Sequence, residues 1–190
     1  MKKILLTLAV VLVSFTGFAQ QKFAHVNLQE LVQLMPEMDE ARAAINASST
    51  EAQETYQAMV DEFNTKYQTY QQKASGWTTA IRESKEKELT EIQQRIQEFS
   101  ASIEQELQQQ QQQLMAPIYE KAQNTVNDLA KKGGYIYVFE QSSVLYFDPA
   151  QSVDITPEAR KVLNIPAERT LESLQAELQA QAQAAQGLAQ

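Results

Sequence analysis

The stretch "QQKASGWTTAI", Gln71 to Ile81, interrupts a long run of helix-forming sequence and decides the fold. Before it, residues 37–73 contain neither proline nor glycine, and apolar side chains recur every three or four positions. These are Ile45, Ala52, Tyr56, Met59, Phe63, Tyr67 and Tyr70. After the break, the spacing returns in Ile81, Leu89, Ile92, Ile96, Phe99, Ile103, Leu107, Leu114 and Ile118. Two amphipathic helices joined by one glycine-containing break predict an antiparallel hairpin, because each apolar stripe then covers the other.

Six consecutive glutamines, Gln108–Gln113, lie on the return helix. Glutamine has good helix propensity and the apolar positions on either side are two turns apart, so we predict a helix here and not a linker. With Gly76 as the centre of the hairpin, the run faces Glu40–Ala44, where side chains are small or polar, and we expect loose packing. Pro117 removes one helical hydrogen bond and favours a bend, so we expect a hinge there.

Short elements flank the hairpin. Gln21–Asn27 is predicted to be a strand, and the apolar positions Leu28, Leu31, Val32 and Met35 predict a short helix after it. Pro36 is tolerated in a first helical turn and disfavours a helical residue before it, so the outbound helix should begin there.

The return helix should end at Gly133-Gly134, which can adopt a left-handed cap after two lysines in the last turn. "YIYVF" (Tyr135–Phe139) and "VLYF" (Val144–Phe147) then predict a β-hairpin. Thr156 is expected to cap a short helix that has proline in its first turn and extends to Leu163.

The predicted organisation has four parts. Residues 1–19 are a signal peptide; residues 20–36 together with 117–165 form a β-body; residues 37–116 form the helical hairpin. Residues 166–190 are an alanine- and glutamine-rich tail, which we expect to be partly disordered because its apolar stripe ends at Leu178.

Composition points to an exported, acidic protein. Two lysines precede the short apolar run Ile4–Val13, and Gly17-Phe18-Ala19 offers small residues for cleavage, the pattern of a secretory signal peptide. No later stretch is apolar enough for an integral membrane span. Cysteine is absent, which excludes disulfides and thiolate metal sites. Without Lys2 and Lys3, the 16 basic residues fall to 14 against 24 acidic ones, a net charge of −10 that repels nucleic acid.

The sequence offers little for catalysis, so we predict no enzyme activity, no cofactor and no metal site. His25 is the only histidine and lies among apolar residues of the first predicted strand, where a structural role is expected. Gly133-Gly134 ends a helix and does not open one, which is unlike a phosphate-binding loop. No histidine pair exists for a metal.

Aromatic and methionine side chains are concentrated near the tip of the hairpin. An outbound helix of about 37 residues reaches roughly 55 Å, far more than a compact domain of this mass needs. Its outer part and the turn are rich in side chains suited to adaptable apolar contacts. The candidate binding residues are Tyr56, Met59, Phe63, Tyr67, Tyr70, Trp77 and Ile81. The alternative is that most of them form the seam between the two helices, with Trp77 at the tip as the exception.

Several motifs together resemble the Skp (OmpH-like) family of periplasmic chaperones. They are "FAHVNLQELVQLMPE", "LMAPIYEKAQNTVNDLAKKGGYIYVFE", "VLYFDPAQSVDIT" and "ARKVLN", and the resemblance extends to about Leu163. It implies a mainly α protein with a small β-body, in which strands of three subunits form a β-barrel-like core and the hairpins project as tentacles, like a jellyfish. It also implies a periplasmic homotrimer that holds unfolded outer-membrane β-barrel proteins soluble without ATP. The residues assigned to the trimer body are Phe23, Val26, Tyr135, Tyr137, Phe139, Leu145 and Phe147.

One property departs from the family. Its best-known members have strongly basic tentacles, whereas residues 61–90 here hold five basic and five acidic residues. We therefore expect client binding to depend less on salt than in a basic homologue. A structural coiled-coil envelope adaptor or spacer remains the alternative function, and it would bind one dedicated partner through a continuously packed hairpin.

Overall fold

The structure of the protein is a computed structural model, and it describes residues 22–187. The signal peptide predicted at Met1–Ala19 lies outside the described residues. In chain order the elements are β1 (Lys22–Val26), α1 (Leu28–Leu34), α2 (Pro36–Lys73), a 3₁₀ turn (Ala74–Gly76), α3 (Thr79–Gly133), β2 (Tyr135–Glu140), β3 (Ser152–Asp154), α4 (Thr156–Val162) and α5 (Leu171–Gly187).

The predicted hairpin of two long helices is present. Helix α2 spans 38 residues and begins at Pro36, after an extended Met35. A single 3₁₀ turn follows, and the backbone N–H of Trp77 donates to the carbonyl of Ala74 at 3.3 Å. Helix α3 then spans 55 residues and continues through Pro117. Side chains join the two helices along their length, from Lys66–Glu88 near the turn to Glu37–Lys121 at the other end.

The facing of the two helices differs from the expectation based on Gly76. The pairs Lys66–Glu88, Glu62–Arg95 and Ser48–Gln110 place the centre of the hairpin between residues 77 and 79. Each side chain leans toward the N-terminus of its own helix, so two side chains that touch belong to residues lying further along both helices than the point of contact. The residue numbers of contacting pairs are therefore higher than a centre at Gly76 predicts. The glutamine run therefore faces the stretch around Ser48, and the predicted facing with Glu40–Ala44 is wrong.

The strands form a parallel sheet in the order β2-β1-β3. Ala24 of β1 pairs with Val138 on one side and with Val153 on the other. The predicted β-hairpin of Tyr135–Phe139 with Val144–Phe147 is wrong, since the latter segment is not a strand. Both later strands run parallel to β1, so the chain must return along the sheet between them, and this apolar segment lies in the returning connection.

Backbone hydrogen bonds mark the C-terminal end of α3 and the start of α4. Gly134 has the positive φ of 67° expected for the cap, and its N–H donates to the carbonyl of Lys131 at 3.2 Å. Thr156 is not the side-chain cap of α4 as predicted. Its N–H donates to a carboxylate oxygen of Asp154 at 2.9 Å, while its hydroxyl accepts the N–H of Asn27 at 3.0 Å. Thr156 thus ties α4 to the end of β1.

The chain divides into two units. Unit 1 contains residues 22–31 and 122–168, and its buried apolar residues are Ala24, Val26, Leu31, Ala122, Val126, Ile155, Ala159, Leu163 and Ile165. Unit 2 contains residues 32–121 together with the tail from residue 169, and its buried apolar residues are Val32, Leu34, Met35, Met38, Ala41, Ile92, Ile118 and Leu174. None of the helices between residues 22 and 187 has both the length and the hydrophobicity that crossing a membrane requires.

The tail forms helix α5, which differs from the partial disorder expected from its composition. Thr170 and Ser173 cap its start reciprocally, since each backbone N–H donates to the other hydroxyl at 2.9 and 3.1 Å. Leu174 is buried, and the Arg169 guanidinium donates to Asp39 of α2 at 2.6 Å. A cap and an ion pair at its first turn thus supply order that the weak apolar stripe does not predict.

Candidate functional site

The predicted binding residues lie on the outer half of the hairpin, defined here as residues 56–95. Tyr56, Tyr67 and Ile81 remain 41–46% exposed, and the other four are half-buried. The rings of Phe63 and Tyr67 stack with centroids 5.9 Å apart. Those of Tyr70 and Trp77 meet edge to face at 5.9 Å. Each side chain thus leaves part of its apolar surface open to solvent, and their assignment to binding stays a prediction.

Ion pairs connect the two helices of the outer half. Lys66 of α2 pairs with Glu88 of α3, and Arg95 pairs with Glu62 at 2.7 Å. The hydrogen bond from Lys66, with a second from Lys85, lowers the pKa of Glu88 to about 2. In turn, the hydrogen bond to Glu88 raises the pKa of Lys66. These charges hold the two helices in one register near the tip.

The Tyr70 hydroxyl adds a further link across the outer half. It hydrogen-bonds to the carboxylate of Glu86, and this bond raises the pKa of the tyrosine. The ring of Tyr70 therefore contacts Trp77, and its hydroxyl bonds to the opposite helix, α3.

The inner half of the hairpin, residues 36–55 and 96–121, contains two open clefts between α2 and α3. The first has a volume of about 400 Å³ and lies beside Ala52. Its other lining residues are Ser48, Glu51, Thr55, Phe99, Ile103, Glu106, Leu107 and Gln110. Small side chains of α2 here face large apolar side chains of α3, so the seam is not filled.

The second cleft lies nearer the start of α2 and has a volume of about 420 Å³. It is lined by Glu37, Glu40, Ala41, Ala44, Leu114, Pro117, Ile118 and Lys121. The glutamine run lies between the two clefts, with Gln110 donating to the Ser48 hydroxyl at 2.8 Å. Pro117, the predicted hinge, is inside α3 and lines the second cleft; its role as a hinge stays a prediction.

In unit 1, five of the seven residues assigned to the trimer body are aromatic, and three of the seven are exposed. Tyr137 lies between Phe23 and Phe139, with centroid distances of 6.3 and 5.9 Å. Leu145 is fully exposed and Tyr146 is 81% exposed. Of the assigned set, only Val26 is buried within the subunit's own core. The assignment omitted the exposed Ile136, Tyr146 and Val153; the apolar segments Tyr135–Phe139 and Val144–Phe147 were the available signal for the first two.

His25 is buried at the centre of the sheet. Its Nδ1 lies 2.9 Å from the Ser152 hydroxyl, and its ring contacts Phe147 with centroids 4.2 Å apart. This is the environment of a packed side chain. Within residues 22–187, no group of three histidine, aspartate or glutamate side chains is placed to hold a metal ion.

Comparison with known proteins gives one consistent answer. Residues 22–163 match the outer membrane protein (OmpH-like) family. Chaperone protein Skp of Yersinia enterocolitica is 26% identical over 155 residues, which are 82% of this chain and 93% of that protein. An OmpH-like protein from Caulobacter crescentus CB15, a candidate outer membrane chaperone, has a crystal structure that matches with a TM-score of 0.68.

That structural match covers 78% of this chain and 86% of the other at 12% identity, and it therefore shows a shared fold. The family match includes β1, both long helices, β2, β3 and α4, and it ends before α5. The family match thus includes both the sheet and the hairpin, and the chain belongs to the OmpH-like outer membrane protein family.

Proposed function

We propose that this protein is a periplasmic, ATP-independent holdase chaperone. It binds unfolded outer-membrane β-barrel proteins and prevents their aggregation in transit to the outer membrane. The observation on which this depends is the partly exposed aromatic and apolar surface of the outer half, on helices of 38 and 55 residues. Family membership and the predicted signal peptide support the chaperone role and the compartment.

The chemistry of the outer half suits weak and varied contacts. Tyrosine, phenylalanine and tryptophan offer large apolar areas with few rotatable bonds, and Met59 adapts to irregular partners. Several such contacts on more than one hairpin give a useful total affinity, while each remains reversible. Release then needs no nucleotide, because folding into the membrane removes the exposed strands of the client.

We assign a homotrimer to unit 1, with its strands in a barrel-like core. A three-stranded sheet is marginal alone, and β2 and β3 are both edge strands. Exposed Tyr137, Leu145 and Tyr146 add apolar surface next to these edges, which further copies of the chain would cover. In such a trimer the hairpins act as tentacles around a cavity for the client.

We propose that the hairpin bends in its inner half. The two clefts leave the seam incompletely packed on either side of the glutamine run, and Pro117 removes a helical hydrogen bond beside the second cleft. Bending at Pro117 would let the cavity widen around clients of different size. A spacer with one dedicated partner would be served better by a filled seam, so the clefts favour the chaperone over the adaptor.

Light scattering on the purified protein tests this function. We expect the mass of three chains for the protein alone. With an outer-membrane β-barrel protein diluted from urea, we expect a discrete complex and little turbidity. Aggregation of the client at the rate seen in buffer would contradict the holdase, and a stoichiometric complex with one folded envelope protein would favour the adaptor.

A further inference from the structure

The two halves of the hairpin differ in charge. Residues 56–95 hold six acidic and six basic residues. In the inner half, Arg42 and Lys121 are the two basic residues, against nine acidic ones. The acidic residues are Glu37, Asp39, Glu40, Glu51, Glu54, Glu98, Glu104, Glu106 and Glu120. The inner half therefore has a formal net charge of −7, whereas the net charge of the outer half is zero.

The two halves also differ in how their carboxylates are used. On the outer half, Glu62 and Glu88 each pair with two cations. Glu51 and Glu106, which line the first cleft, form no ion pair with any residue between 22 and 187. Both are exposed, so their charges are available to a group that enters the cleft.

The floor of this cleft is apolar. Ala52 of α2 lies opposite Phe99, Ile103 and Leu107 of α3, and all four are only half-buried. A volume of about 400 Å³ is enough for a large side chain and part of the backbone that bears it. An apolar floor with carboxylates at its rim matches a side chain that has an aliphatic stem and a cationic head.

The geometry points to a site for arginine- or lysine-bearing apolar segments of unfolded polypeptides in the cleft between α2 and α3. The aliphatic stem would pack on Ile103 and Leu107, as the stems of these residues do on apolar surfaces. The cationic head would meet the carboxylates of Glu51 and Glu106, and arginine fits best because its guanidinium can bind a carboxylate through two parallel hydrogen bonds. Acidic segments would be repelled by the same carboxylates.

This inference deepens the proposed function, because it names which client segments the inner half selects. Its test uses the full mature protein and a short unstructured fluorescent peptide in which arginines stand among leucines and serines. A second peptide has citrulline, an uncharged analogue of arginine, at the same positions. Binding of both is followed by fluorescence anisotropy, and suppression of client aggregation is measured in parallel.

We expect the arginine peptide to bind about three- to tenfold more tightly than the citrulline peptide, which is within the range of effects for two exposed ion pairs. The double variant E51Q/E106Q should remove this preference. The matched control E54Q/E104Q makes the same charge change on the same two helices, at exposed positions outside the cleft, and should retain it. Ala52→Leu fills the floor without changing charge and should weaken both peptides alike.

Three outcomes would overturn the inference. They are equal binding of the two peptides, an equal loss in E51Q/E106Q and E54Q/E104Q, or a change in the oligomer mass of E51Q/E106Q, which would make the cleft a contact between copies. If aggregation suppression is intact while the two peptides bind equally, the inference fails and the holdase stands. If aggregation proceeds as in buffer, the proposed function itself fails.

Discussion

The outer and inner halves of the hairpin are built from the same two helices but differ in how those helices pack against each other. Near the tip, Ile92 is buried between the helices and ion pairs such as Glu62–Arg95 fix the register. Farther from the tip, small side chains of α2 face large ones of α3, and clefts open between them. The comparison shows that an amphipathic stripe alone does not make a tight hairpin; the sizes of the facing side chains decide where it is closely packed.

The largest expected difference between the halves is in stability. Ile92 is 4% exposed in the outer seam, so Ile92→Ala should lower the free energy of unfolding by about 2–3 kcal/mol. Ile103 is half-buried beside the open cleft, and Ile103→Ala should cost about 1 kcal/mol. Urea unfolding at one fixed protein concentration measures both. Equal losses would mean that the two halves are packed alike.

Removing the apolar surface of the outer half should weaken client binding. Replacing Met59, Phe63, Tyr67 and Trp77 together by serine should raise the protein concentration needed to suppress aggregation by roughly tenfold, because each contact contributes on the order of 1 kcal/mol or less. Aggregation of a urea-diluted client measures this, with the oligomer mass checked by light scattering.

The matched control replaces four exposed glutamines of α2, Gln53, Gln68, Gln71 and Gln72, by serine. It should suppress aggregation as well as the natural chain does. Unchanged suppression by the aromatic variant, with an unchanged oligomer mass, would show that the outer half is only a seam.

Amide hydrogen exchange compares the halves without a mutation. We expect exchange in Gln108–Gln113 to be about tenfold faster than in Ile92–Phe99, because the seam next to the glutamine run is open. Mass spectrometry of peptic fragments resolves the two segments. Equal protection would argue against a flexible inner half and against a hinge at Pro117.

The smallest effect concerns pH. The folded pKa of Glu88, about 2, is below the ordinary value of 4.5, so the ion pairs of Glu88 stabilise the fold above pH 4.5. This contribution is lost as the pH falls from 4.5 through about 2. The difference in thermal midpoint between the natural chain and Glu88→Gln should therefore be constant at neutral pH, shrink below pH 4.5 and vanish only below about pH 2. The control is Glu83→Gln, which removes an exposed carboxylate of the same helix that forms no ion pair within residues 22–187, and it should change the thermal midpoint little.

The parts of the fold that the sequence predicts are local. The break at Ala74–Gly76, the start of α2 at Pro36 and the cap at Gly134 each depend on residues next to one another, and all three are present. The family follows from motifs that are contiguous in the chain. The residues of the apolar stripes along the hairpin could also be predicted, since helical periodicity fixes which residues share a face.

The parts that the sequence did not predict depend on distant residues. The pairing of β1 with both β2 and β3 is set by contacts between strands more than a hundred positions apart. The apolar segment Val144–Phe147 has strand propensity, yet parallel pairing requires it to be a connection. The order of the tail depends in part on the pair Arg169–Asp39, which no local pattern contains. The clefts arise only when the facing of the two helices is known.

The antiparallel facing of α2 and α3 has a consequence for how such arms change in evolution. Removing one heptad from the glutamine run, together with one heptad around Ser48, would keep both stripes in phase and leave the tip and the sheet untouched. Deletion in one helix alone would shift every pair beyond it. Arm length is thus a property that can change in paired steps while the packing at both ends of the hairpin stays the same.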